Sequence, residues 1–261
     1  MNIFGIGVRA TDEGESAWVV QIGAHIGFEA NDPLGSTMAG LLGLIGELKN
    51  QQEPRWKWLM VEPVPSIIPA LKVNTEAMPH RNGEFIIEPA GVVDEAQQDS
   101  HMTFYSIEDI DSDTGLDRRT GKILPFWITQ IGSFDRDHLT KPAAHAHAFK
   151  KRGLAINDYV TAQKVPTLTI EQLFRKHSVA TGRVMAILID AEGLDCKIVI
   201  SLESNILDQC PLILFEHKHC EKGDFKKAMV HIRSSGFSCY RYDTENTLCS
   251  KSCGPPSLFR L

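Results

Sequence analysis

The chain has 261 residues, of which 43% are hydrophobic and 23% charged, enough apolar material for one large core and unlike a fibrous or compositionally disordered protein. Its net charge of −6 argues against a broad phosphate-binding surface, so no nucleic-acid partner is expected, with a local basic patch only at Lys150, Lys151 and Arg152. No run of 18 consecutive apolar residues occurs, and the first twenty residues hold no charged segment leading into a long apolar one, so neither export nor a membrane span is expected.

The first element is the apolar run Trp18 to Ile22, which breaks into glycines at 23 and 27. A strand that enters such a turn brings backbone N–H groups close to a ligand, because glycine has no Cβ to hold it away. Leu34, Met38, Leu41, Leu42, Ile45 and Leu48 then recur at helical spacing, with Asp32 as N-cap and Pro33 at the first helical position. A second apolar run from Trp58 ends on Glu62, and Ile67, Ile68 and Leu71 mark a short helix face after it. "EFIIEPAGVVDE" reads as a third strand that bends at Pro89 and Gly91.

Between residues 97 and 165 the pattern weakens, and the segment reads as an insertion lying over a site. "LPFWITQIGSF" holds a short strand within it. Trp127 and Phe134 are candidate pocket walls, while Ser133 and Arg136 are candidates to bind a polar or anionic group of a substrate. His138, His145 and His147 are the histidines dense enough to suggest a general base, but "AAHAHAF" reads first as an exposed surface segment.

Regular structure returns at "PTLTIEQLFRKH", where Thr169 and Gln172 have capping-box spacing and Ile170, Leu173 and Phe174 form an inner face. The runs "VMAILID" and "PLILFE" stop at Asp190 and Glu216; nearly unbroken apolar strands of this kind suit a parallel sheet covered on both faces. Phe225, Met229 and Ile232 mark a helix that closes at Gly236, and "FSCYRYD" supplies a further strand. Strands alternating with helices imply an open α/β sheet in a single domain. In such sheets the carboxyl ends of the strands line the ligand crevice, so Glu62, Asp190 and Glu216 should converge beside the glycine turn. Glu62 is placed to accept hydrogen bonds from a ribose diol.

The series "VVQIGAHIG", "VEPVP", "PTLTIEQL", "LIDAEGLD", "LILFE" and "SSGF" resembles the FkbM-type family of S-adenosylmethionine-dependent methyltransferases, over roughly residues 18 to 96 and 165 to 243. Its most telling piece is Ile189, Asp190, Ala191, Glu192 and Gly193. The resemblance implies a class I methyltransferase fold: a Rossmann-like three-layer sandwich with a mostly parallel seven-stranded sheet whose last strand is antiparallel, forming one domain over residues 1–261. It implies S-adenosyl-L-methionine as cofactor, with Gly23, Ala24 and Gly27 against its methionine part and Glu62 on its ribose. Gln21 stands where the first motif often carries an acid partner for the cofactor's amino group. Gly91 to Asp94 would approach the adenine, and Asp190 would sit where methyl donor meets acceptor. Asp190 or Glu192 would take the proton of a hydroxyl acceptor, although Glu192 is equally suited to capping the next helix. Ser133, Arg136 and Glu216 fall on the acceptor side.

The expected activity is metal-independent O-methylation of a small molecule or glycan. A metal-assisted variant would use Asp190 and Glu216 with His217. Two rival classes are a nicotinamide-dependent oxidoreductase, which the lack of Gly-x-Gly-x-x-Gly disfavours, and a cofactor-binding protein without turnover, which Gln21 suggests.

Six cysteines are too sparse for a disulfide scaffold, and Cys196 and Cys239 lie in apolar runs that suit reduced core thiols. A reducing, cytoplasmic setting follows. The tail "CSKSC" at 249–253 reads as surface thiols rather than a zinc site.

Overall fold

In the computed structural model, residues 16–27, 56–78, 83–95, 99–112, 114–210 and 212–251 are described, and the helix expected over 31–50 lies outside them. The first apolar run forms β1 (Ala17–Ile22), all six residues buried. It is central to a seven-stranded sheet, flanked on one side by β2 (Trp56–Val61) and β3 (Gly83–Glu88), all three parallel. On its other side lies β8 (Val184–Ile189), then β9 (Leu212–Glu216), again parallel. Next comes β11 (Asn246–Ser250), antiparallel both to β9 and to the edge strand β10 (Ser238–Arg241). The sheet is therefore mixed, and both antiparallel pairs involve β11, the last of the described strands.

The period-two rule explains why these runs are almost wholly apolar. Trp18, Val20, Ile22, Leu59, Val61, Ile187, Ile189, Ile213 and Phe215 feed one core, while Val19, Trp58, Met60, Ala186, Leu188, Leu212 and Leu214 feed the other. Each fully buried aliphatic side chain contributes about 2 kcal/mol. Leu71 of α1 (Ile68–Ala77) packs into the second core. The first core is covered by α4 (Ile170–Lys176), α5 (Asp195–Ser201), α6 (Ser204–Gln209) and α7 (Lys222–Ser234), through Leu173, Ile198, Ile206 and Ile232 among others. The capping box at the start of α4 forms as expected: Thr169 Oγ1 accepts the Gln172 N–H, and Gln172 Oε1 accepts the Thr169 N–H. Gly236, at φ +86°, follows the end of α7.

The segment between β3 and α4 is more ordered than its sequence pattern suggests. β4 (Gly91–Val92), β5 (His101–Ile107), β6 (Gly132–Ser133) and β7 (Val160–Leu168) make a second sheet in the order β4-β7-β5-β6. Two helices, α2 (Arg136–Thr140) and α3 (Ala143–Lys150), accompany it. Ile107, Ile110, Leu124, Ile128, Leu139, Phe149 and Tyr159 form its own apolar cluster. "LPFWITQIGSF" is a 3-10 turn over Phe126–Gln130 followed by the two-residue β6.

The cysteine expectation is corrected. Cys196 is bonded to Cys220, and Cys239 to Cys249, while Cys210 is a buried free thiol. Cys239 and Cys249 face each other directly in the register of β10 and β11, a juxtaposition that only strand pairing creates. Cys249 is thus buried in a strand and is not a surface thiol. Among the described residues no helix is long and apolar enough to cross a membrane.

Candidate functional site

The strand order reverses direction at β1, whose neighbours are β2 on one side and β8 on the other. This is the topological switch point where open α/β sheets hold ligands. The chain leaves β1 through Gly23, at φ +78°. A Cβ there would lie 1.7 Å from the carbonyl oxygen of Asp190, so only glycine lets the two loops meet. Gly23 N–H and Ala24 N–H tie the turn to β2 through Val61 O, both 3.0 Å, and Asp190 N–H ties the loop after β8 to Ile22 O of β1, 2.9 Å.

Glu62 follows β2 and is buried. Its Oε2 accepts the His25 N–H and its Oε1 the Val64 N–H, each at 2.8 Å. Burial pushes its carboxyl up, while those N–H donors and the nearby His25 pull it back. Each oxygen keeps a second lone pair for a further donor.

These groups line one cleft of about 660 Å³, within the range for small-molecule sites. Its wall includes Gly23, His25, Glu62, Asp190, Glu192 and Glu216 from the main sheet side, and Gly91, Phe104, Trp127, Phe134 and His145 from the second sheet and the segments that accompany it. Phe134 packs edge-on against Phe104, ring centroids 5.0 Å apart, and its Cζ fills the space a Cβ on Gly91 would take. His145 lies 5.6 Å from the Trp127 ring, and Leu139 O is 3.0 Å from its Nδ1. Burial lowers the His145 pKa.

Other sequence candidates fall elsewhere. Gln21 is not on the cleft wall; it is buried in β1, and its Oε1 has no hydrogen-bond partner among the described residues. Ala24 packs into the second core, and a Cβ on Gly27 would meet Leu71. Asp94 is likewise off the wall, with Oδ1 buried and without a partner among the described residues. Ser133 donates to the carbonyl of Glu192 at 3.0 Å, so it supports a loop instead of facing the cleft. Arg136 turns outward to Asn157, 2.8 Å away. The reason is shared: strand alternation and core contacts, invisible in a local window, decide which side of an element faces the cleft.

The acidic end of the cleft is built on the loop after β8. Glu192 and Gly193 are both left-handed, at φ +45° and +104°. The loop is held by Asp195, whose carboxylate accepts the Ala191 and Gly193 N–H groups at 3.0 and 3.1 Å. Asp195, not Glu192, therefore satisfies the backbone at the start of α5. Its burial, with the Glu192 charge nearby, pushes its carboxyl up to about 7. Glu192 points the other way, with its Oε2 2.8 Å from His138 Nε2. Glu216 is pushed up to about 10 by burial and by the negative charges of Asp190, Glu192 and Asp195. His217 turns away: its Nδ1 is 3.0 Å from Thr247 Oγ1, and its ring packs on Phe225. His219 takes the place expected for it, with Nε2 3.5 Å from Glu216 Oε1 and its ring 4.6 Å from that of His138. The sequence signal for His219 was the "EHKH" run, in which loop geometry, having no period, selects the second histidine.

No protein-family profile, curated protein or solved structure matches this chain.

Proposed function

We propose that the protein is an S-adenosylmethionine-dependent methyltransferase that acts on a hydroxyl of a small molecule or glycan. What supports this reading most is the meeting of Gly23, Glu62 and Asp190 on the wall of one cleft at the sheet's switch point, three positions the FkbM-type resemblance assigns to cofactor and acceptor. The seven-stranded mixed sheet, parallel except where β11 pairs with β9 and β10, supports the reading as a coarse α/β architecture. The donor set also fits: a buried carboxylate on the cleft wall with lone pairs left for a diol.

When bound, S-adenosylmethionine supplies an electrophilic methyl on a sulfonium. The residues would supply position: Gly23 would let the loops that line the cofactor meet, Glu62 would orient its ribose, and the Gly91 bend would face its adenine. Asp190 accepts the proton of the acceptor hydroxyl, and Trp127 and Phe134 exclude water from the acceptor space. The two disulfides favour an oxidising compartment over the cytoplasm.

The test is calorimetric titration with S-adenosylhomocysteine. Wild type should bind, and Glu62→Ala should lose about tenfold or more, since removing a hydrogen bond to a charged group costs about 1.5–3 kcal/mol. Equal affinity in both proteins would remove the assignment of the pocket. Tight binding with no methyl release across an acceptor library would make the protein a binder without turnover. Fluorescence-detected binding of a reduced nicotinamide in place of S-adenosylhomocysteine would favour the oxidoreductase class.

A further inference from the structure

We propose that His138, Glu192 and His219 form a binding site for a divalent first-row transition cation of the zinc type, with an open position for an oxygen of the acceptor. The three side chains come from α2, the loop after β8 and the loop after β9, and one ligand atom from each lies within 4.8 Å of the others. Two imidazoles and a carboxylate are the donor set of a catalytic zinc site that keeps its fourth position free, and they select against magnesium and calcium, which prefer all-oxygen shells.

The hydrogen bonding satisfies this cluster only in part. His138 Nε2 and Glu192 Oε2 are 2.8 Å apart, but the 3.5 Å between His219 Nε2 and Glu216 Oε1 is too long for a good bond. Glu216, 7% exposed, has an Oε2 that is buried without a hydrogen-bond partner among the described residues. A buried carboxyl oxygen normally has a partner, so this end of the cleft holds polar capacity that the described residues leave unused. Asp190, Glu192, Asp195 and Glu216 also place four carboxyl groups around this end of the cleft, facing His138, His219 and Lys218, the last of which is engaged by Glu245.

One of the three ligands sits on a braced loop. Asp195 and Ser133 hold the Glu192 loop through its backbone, which fixes the carboxylate without occupying it. Glu192 and His219 lie on the cleft wall, so the open position faces the space where the acceptor would bind. The role toward the acceptor rests on the methyl-transfer reading; cation binding itself does not. A bound cation would lower the pKa of an acceptor hydroxyl and orient it, sharing with Asp190 the removal of the proton.

The experiment strips the full chain with a chelator and titrates it with Co²⁺, following visible absorption, and with Zn²⁺ by calorimetry. One equivalent should bind and give the intense d–d bands of a low-coordinate site. His138→Ala and His219→Ala should each weaken binding by more than about 100-fold, beyond the roughly 10–100-fold that supporting residues typically cost. The exposed His147→Ala should leave it unchanged. Equal affinity in all four proteins, or the weak spectrum of hexaaqua Co²⁺, would overturn the site.

If an alanine variant does not fold, protection of His138 and His219 from diethylpyrocarbonate by Zn²⁺ in the native chain gives the same decision, and full modification in its presence overturns the proposal. S-adenosylhomocysteine binding is measured on the same stripped protein. Its absence with cation binding intact removes the methyl-transfer reading and leaves the site. Its presence without cation binding removes only the site.

Discussion

Gly23→Ala tests the junction on which the cleft depends. The new Cβ would lie 1.7 Å from Asp190 O, whereas ordinary contact begins at 3.4 Å, so the two loops must separate by about 1.7 Å. A movement of that size breaks the Asp190 N–H bond to Ile22 O and the Gly23 N–H bond to Val61 O. Each contributes about 1 kcal/mol. Holding alanine at φ +78° adds about 1 kcal/mol more. The expected destabilisation is therefore about 3 kcal/mol, roughly a hundredfold in the folding equilibrium. Urea unfolding followed by circular dichroism measures it, with Gly182→Ala as a control, because a Cβ at Gly182 meets nothing within 4 Å. A Gly23→Ala protein within about 0.5 kcal/mol of wild type would refute the reasoning, since surface substitutions alone fall in that range.

Tyr159→Phe should cost about 1.5–3 kcal/mol at neutral pH, because the Tyr159 O–H donates to buried Asp117 at 2.7 Å. Burial pushes Asp117 up, but hydrogen bonds from Thr120, Tyr159 and the Arg119 backbone outweigh it and leave its carboxyl below 3.8. A depressed acid contributes stability that is present above 3.8 and is lost as pH falls through the lower folded value, so the gap between variant and wild type should narrow in acid. A gap that is constant from pH 7 to pH 2 in thermal melts would contradict this. Alkylation under denaturing conditions should label Cys196, Cys220, Cys239 and Cys249 only after a reductant is added. Reduction should lower stability by about 3 kcal/mol per bridge, from the 24- and 10-residue separations they close. Labelling of all four without reductant would show that the bridges do not form.

The centre of the main sheet was legible in the sequence because β1, β8 and β9 are buried on both faces. That requirement removes polar residues from a whole run, so the ends of "VMAILID" and "PLILFE" at Asp190 and Glu216 could be read by eye. The Thr169 capping box was equally local, since its two hydrogen bonds span only three residues. By contrast, β11 escaped notice. Asn246, Thr247 and Ser250 give it no apolar run, and it is buried because β9 and β10 pair with its edges while Cys249 and Leu248 enter the two cores on its faces.

The sequence by itself determined which segments become central strands and that acids and a glycine turn stand at their ends, because burial and backbone conformation are demands placed on each residue in turn. Tertiary structure decided the rest: that Gln21 and Ala24 face away from the cleft, that Ser133 braces Glu192, that His219 rather than His217 joins His138, and which cysteines pair. Those outcomes depend on contacts between segments far apart in the chain, and no local pattern of hydrophobicity carries that information.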